Sequence, residues 1–162
     1  MVFRVYVDTN YAENMLNRRS HTGILINVNS APIIWFSKQQ NKVEASRFES
    51  ELIDLGVAME MVEGLRYKHR TFGIPIDVLD EVFCDNQLVV KNLIIPYSTL
   101  NNRHISICYN WVREAQVDDI IRVGWIEVIR NSVDLFTKTT ISIPTRQGIL
   151  SKIFNNSAAV IK

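Results

Sequence analysis

Lys42-Val43-Glu44-Ala45-Ser46-Arg47-Phe48-Glu49-Ser50-Glu51-Leu52-Ile53-Asp54-Leu55 is the stretch at which the chain changes period. Upstream of it, apolar residues alternate as they do in strands. Downstream, Phe48, Leu52, Leu55, Met59, Val62 and Leu65 recur at helical spacing, which predicts a long helix from Ser46 to about His69 with one buried stripe. Ser46 followed by Glu49 fits a capping box, in which the two side chains satisfy each other's backbone amides. Glu49 is also an acid one turn into a rigid helix, where it could instead face a site. One rotamer cannot do both jobs. Glu51 and Glu114 read as solvated helix faces.

Working back from that stretch, Phe3, Val5 and Val7 alternate with Arg4 and Tyr6, a strand pattern that stops at Asp8-Thr9-Asn10. A polar loop over Tyr11 to His21 follows. Thr22 to Val28 reads as a second strand, Asn29 to Pro32 as a turn, and Ile33 to Lys38 as a third strand rich in β-branched and aromatic residues. Short connections between them predict an antiparallel meander.

Working forward, Phe72-Gly73-Ile74-Pro75 closes the long helix with a glycine and then a proline. Ile76 to Cys84 predicts a fourth strand, best at Val82-Phe83-Cys84, and Asp85-Asn86 leads into a short helix over Gln87 to Leu93. A second long helix is expected from about Asn102 to Val117, and a fifth strand from Ile120 to Ile129. Asn131 to Lys138 is a turn leading into a short helical piece. Trp35 and Trp125 sit in strand patterns and are expected in the core. Residues 1–138 are expected to form the domain, and 139–162 a polar, poorly ordered tail. The element order implies an α/β fold: a mixed five-stranded sheet, three antiparallel strands and then parallel additions, with helices packed on it.

The chain has 162 residues, 47% apolar and 22% charged, which suits one soluble domain with a real core. No apolar run approaches the roughly 20 residues that span a bilayer, and the N-terminus lacks the layout of a signal peptide, so a membrane partner is not expected. Cys84 and Cys108 have neither zinc-ligand nor redox spacing, which points to a reducing compartment. The net charge of +1 identifies no partner by itself.

Asp8, Asp85 and Asp134 each lie at or just beyond a strand end, and Glu49 in the first turn of the long helix. Each has a local explanation as a turn former or cap. As a set they suggest one site, because strand ends and helix starts of one sheet can converge at an edge. Carboxylates brought together repel and raise one another's pKa. A hard divalent cation with oxygen ligands resolves that repulsion, and Mg²⁺ suits carboxylates, water and phosphate. Two ions about 4 Å apart would serve phosphodiester hydrolysis.

The landmarks Asp8-Thr9-Asn10-Tyr11-Ala12, Arg18-Arg19-Ser20-His21-Thr22-Gly23, Ile34-Trp35-Phe36-Ser37-Lys38-Gln39-Gln40, Glu49-Ser50-Glu51, Cys84-Asp85-Asn86, Arg103-His104-Ile105, Val112-Arg113-Glu114 and Val133-Asp134-Leu135-Phe136-Thr137-Lys138 occur in a specific order. In that order, from Phe3 to Lys138, the chain resembles the ribonuclease H domain of copia-type LTR retrotransposon polyproteins, which follows the reverse transcriptase domain. The resemblance implies a ribonuclease H-like fold with helices on both sheet faces, and an acidic tetrad of Asp8, Glu49, Asp85 and Asp134 as catalytic and metal-binding residues. It implies two Mg²⁺ ions, with Mn²⁺ as a substitute, and cleavage of the RNA strand of an RNA–DNA hybrid during reverse transcription. In that scheme Asp8 and Asp85 hold metal directly, Glu49 holds the second ion, and Asp134 completes the site beside the nucleophilic water. The implied partner is the reverse transcriptase domain of the same polyprotein, and the implied location a cytoplasmic retrotransposon particle, with the nucleus as an alternative. The chain departs from the pattern at Asn10, Ser106 and Asn110, and Arg47-Phe48 replaces a small hydroxyl pair.

Arg18, Arg19, Ser20, Lys38, Lys42, Asn86 and His104 are candidate nucleic-acid contacts, since cations and hydroxyls bind backbone phosphates. A solvated loop, a helix cap or a plain helix-start histidine would explain each of them too. Two rival functions belong to other classes: an inactive retrotransposon remnant that still binds nucleic acid, and a structural part of a larger reverse transcriptase.

Overall fold

In the structure, a computed structural model, residues 1–12, 16–76, 78–95, 103–138 and 142–155 are described, the side chains of Arg103, His104, Lys152, Phe154 and Asn155 excepted. His104 begins a helix, and its predicted nucleic-acid role therefore lies outside the described side chains.

Among the described residues, five strands form one sheet: β1 (Phe3–Asn10), β2 (His21–Val28), β3 (Ala31–Gln39), β4 (Asp80–Cys84) and β5 (Ile121–Trp125). Their order is β3-β2-β1-β4-β5, with β1–β2 and β2–β3 antiparallel and β1–β4 and β4–β5 parallel. This is the mixed sheet expected. The helices are α1 (Arg47–Thr71), α2 (Gln87–Ile94), α3 (Arg103–Val117), α4 (Asp134–Thr137) and α5 (Ile143–Asn155). No described helix is long and apolar enough to cross a membrane.

Alternation along β1 builds the two faces. Phe3, Val5 and Val7 join Ile24, Ile26, Val82 and Cys84 beneath Leu52, Leu55, Met59 and Val62 of α1, with Ile105, Tyr109 and Val112 of α3 in the same cluster. The opposite face is smaller: Leu25 packs with Val133 and Ile153, flanked by Tyr6, Leu135, Phe136 and Ile149. Apolar burial on both faces orders the strands between them, because period-two side chains need a partner layer on each side.

Helix α1 ends in a Schellman motif. Ile74 N donates to His69 O and Gly73 N to Arg70 O, with Gly73 at φ +72, a conformation that favours glycine.

Three boundaries differ from expectation, for reasons of pairing. The fourth strand starts at Asp80, not Ile76, because its partners begin there: Arg4 faces Glu81 and Ile121 faces Asp80. The fifth strand stops at Trp125, opposite the last residue of β4, and Val128–Arg130 forms a 3-10 turn instead of more strand. The segment read as a loose tail contains α5, whose Ile149 and Ile153 sit one helical turn apart and pack in the smaller cluster. Trp35 and Trp125, expected in the core, are 66% and 44% exposed, because each lies on an edge strand.

Candidate active site

The register of the central strands creates the site. Val7 of β1 faces Cys84 of the parallel β4, so the next residues, Asp8 and Asp85, emerge side by side at the carboxyl ends of the two strands. Asp8 belongs to the side of β1 that faces α4, and its Oδ2 accepts from the Thr137 hydroxyl there. Asp134 begins α4, and its Oδ2 pairs with Lys138 Nζ at 2.6 Å. Trp125 Nε1 donates to the Asp85 carbonyl at 3.0 Å and ties the end of β4 to β5.

Electrostatics show that these three aspartates share one space. Burial raises Asp8 to about 6; the Thr137 hydrogen bond opposes this, and Asp134 and Asp85 reinforce it. Burial also raises Asp85, with Arg47 opposing and Asp134 reinforcing. Asp85 Oδ1 and Asp134 Oδ1 are both buried without a hydrogen-bond partner among the described residues. Two orphaned carboxylate oxygens at one place cost free energy unless something positive meets them.

Glu49, expected among these acids, is engaged at the helix terminus. Glu49 Oε2 accepts from the Ala45 amide at 3.1 Å, and Glu49 N donates to Ser46 Oγ at 3.2 Å. Glu49 therefore closes the helix N-terminus, one residue upstream of the amide that a capping box would engage. Glu51 instead lies beside Asp85. It is 1% exposed, so the expectation of a solvated helix face is wrong. A Glu51 oxygen, Cys84 Sγ and an Asp85 oxygen lie within 4.8 Å of one another, and Cys84 donates to Glu51 Oε2 at 3.5 Å. Burial raises the Glu51 pKa, with Arg47 opposing and Asp85 reinforcing. A sequence signal existed: Glu51 shares a helical stripe with Leu55, Ala58 and Val62, all buried.

Asp85 is thus the hub, facing Asp8 and Asp134 on one side and Glu51 on the other. An all-carboxylate donor set with unpartnered oxygens is the chemistry of a hard divalent cation, and the residues fit that group. The soft Cys84 thiol lies in the same cluster, and burial holds it well above its usual pKa.

A second buried network braces the site. Asp54 of α1, fully buried, accepts from the Thr9 and Thr22 hydroxyls and from Gln40 Nε2 at 2.7 Å. Thr9 and Thr22 face each other across β1 and β2, so Asp54 fastens the helix carrying Glu51 to the strand carrying Asp8.

The predicted nucleic-acid residues divide. Arg18, Arg19, Lys38 and Lys42 are exposed. Lys38 and Lys42 line a cleft of about 410 Å³ with Gln40, Ile53 and Val57. Ser20 is fully buried, and its hydroxyl accepts from Ala12 N at 3.3 Å, so it closes the loop and offers no surface for a phosphate. Asn86 Oδ1 accepts from Leu88 N at 2.9 Å and Val89 N at 3.4 Å, which makes it the N-cap of α2.

Comparison with known proteins agrees with this architecture. No known family profile matches the chain. It is 29% identical over 140 residues to the retrovirus-related Pol polyprotein from transposon TNT 1-94 of Nicotiana tabacum, over 85% of this chain and 10% of that polyprotein. Its fold matches LC11-RNase H1 in complex with an RNA/DNA hybrid at TM-score 0.62 and 14% identity, over 83% of this chain and 93% of that one. The chain has a ribonuclease H-like fold and is similar in sequence to part of a retrotransposon Pol polyprotein. RNase H1 from Halobacterium salinarum shares the fold at TM-score 0.60 and 17% identity, over 85% and 95% of the two chains. Prototype foamy virus protease–reverse transcriptase aligns at TM-score 0.52 and 12% identity, over 99% of this chain and 21% of that one. The chain thus spans 10% of that Pol polyprotein and 21% of the foamy virus chain.

Proposed function

We propose that this domain is the ribonuclease H of a copia-type retrotransposon polyprotein, a metal-dependent endonuclease that hydrolyses the RNA strand of RNA–DNA hybrids. The observation that carries the reading is the meeting of Asp8, Glu51, Asp85 and Asp134, from four separate elements, with two buried oxygens left without partners. The relationship to a Pol polyprotein supports the setting, with the reverse transcriptase domain as neighbour. The fold shared with an enzyme solved in complex with an RNA/DNA hybrid supports the substrate class.

In this reading the four carboxylates hold Mg²⁺ or Mn²⁺, and Glu51 takes the role expected of Glu49. When bound, the ions would activate water and stabilise the leaving oxygen. The chain's own residues supply position. Thr137 fixes Asp8, Trp125 fixes the Asp85 backbone, and the Asp54 network holds β1 against α1. Arg18, Arg19, Lys38 and Lys42 offer exposed cations to backbone phosphates, and recognition rests on duplex shape and 2′-hydroxyls.

A gel assay with labelled hybrid and Mg²⁺ tests this. The parent chain should cleave. Glu51→Gln and Asp85→Asn should lose at least about a hundredfold in rate, while Glu49→Gln stays within about tenfold. A parent chain that never cleaves sinks the enzyme, and a Glu49→Gln loss with Glu51→Gln intact sinks the assignment of Glu51.

A further inference from the structure

Arg47 is the first residue of α1, and its guanidinium already sits on the acids. Its Nε donates to Glu51 Oε1 at 2.6 Å, and its Nη2 lies 3.4 Å from Asp85 Oδ2. Those two carboxylate side chains are 1% and 2% exposed, while Arg47 itself is 56% exposed. A cation gains nothing from the helix dipole at an N-terminus, so the carboxylates, not the helix, hold the guanidinium there. The Cys84 thiol takes the other Glu51 oxygen. A divalent ion entering between Glu51 and Asp85 thus finds both Glu51 oxygens occupied, one by a thiol and one by a charged fork that also reaches Asp85 Oδ2.

Resting on the proposed metal-dependent function, we infer that Arg47 is a resident counter-cation that competes with the divalent ion and sets how much metal the site requires. Ion binding and Arg47 release are one exchange: two N–H to carboxylate contacts break, two oxygens pass to the ion, and the exposed guanidinium returns to water. Its long, half-solvated stem makes that release possible without unfolding α1. Asp85 Oδ1 and Asp134 Oδ1 stay without partners, so the guanidinium neutralises only the Glu51 side of the cluster. The apparent affinity for metal is lowered by the fraction of molecules in which Arg47 is seated.

Calorimetric titration of the whole chain with Mn²⁺, without nucleic acid, reads this directly. Arg47→Ser should bind at roughly three- to tenfold lower Mn²⁺ concentration than the parent. Arg47→Lys keeps the charge without the planar fork and should fall between the two. Metal-free Arg47→Ser should melt below the parent and gain more on adding Mn²⁺. Parent-like or weaker binding by Arg47→Ser, in a chain whose Asp85→Asn variant binds no Mn²⁺, overturns the Arg47 inference and leaves the metal site standing. Asp85→Asn binding like the parent, or no binding by either parent or Arg47→Ser, overturns the metal site and the inference with it.

Discussion

Asp54 sits at the centre of the brace between β1 and α1, and burial raises its pKa from an ordinary aspartate's 3.8 to about 7; the Thr22, Thr9 and Gln40 hydrogen bonds oppose the rise. A rise of about three units corresponds to about 4 kcal/mol across the titration. The sign follows from proton counts. Below about pH 4 both states carry the proton; between about pH 4 and 7 the unfolded chain has lost it while the folded chain keeps it. The unfolded state then binds fewer protons, so stability falls as pH rises through this window and levels off above it. Asp8, raised to about 6, adds in the same direction over the lower part of the range. Asp54→Asn removes the larger of the two titrations. The amide oxygen accepts from Thr22 and Gln40 as Asp54 Oδ1 does, and the amide nitrogen donates to the Thr9 hydroxyl, which turns to accept. The variant should match the parent near pH 4 and exceed it by about 2–4 kcal/mol near pH 8, with a residual slope from Asp8. Urea unfolding with a chelator present, followed by tryptophan fluorescence across that range, measures it. Parallel stability curves for parent and variant would refute the argument that Asp54 is protonated in the fold at mildly acid pH.

Two further expectations follow from packing. A Cβ at Gly23 would lie 2.5 Å from Thr137 Cγ2 and 2.7 Å from Val133 Cγ1, so Gly23→Ala must push α4, with Asp134 and Thr137, off the sheet. It should cost about 1–3 kcal/mol and lower hybrid cleavage, and parent-like melting with parent-like cleavage would contradict this. Arg66 Nη1 bonds Asp80 Oδ2 at 2.6 Å, while Phe3 N donates to Asp80 Oδ1 at 2.9 Å, and Asp80 is fully buried. Arg66→Ala strands that carboxylate and should cost about 3–5 kcal/mol, read by urea unfolding; a loss below about 1 kcal/mol would mean that water reaches Asp80.

The strands and long helices were legible because apolar period and turn chemistry are local properties. Alternation at Phe3, Val5 and Val7 and the helical stripe after Phe48 both appear where the residues place them. Edges were less legible. β4 and β5 are bounded by the residues they pair with, and Trp35 and Trp125 look like core until the strand order puts them at the margins. The turn of α5 that packs on the sheet is carried by two isoleucines in a polar segment, a signal too weak to stand against its surroundings.

Asp8, Asp85 and Asp134 were legible in the sequence as candidates, because each is pinned to a strand end or helix start that local pattern marks. The fourth was decided by tertiary structure. Glu49, Ser50 and Glu51 are all buried near the start of α1, so composition and exposure do not separate the two glutamates. What separates them is direction. The Ala45 amide draws the Glu49 carboxylate back onto the chain, whereas Arg47 and Cys84 hold the Glu51 carboxylate beside Asp85. Cys84 and Asp85 lie more than thirty residues away in sequence, and only β4 seated beside β1 brings them there.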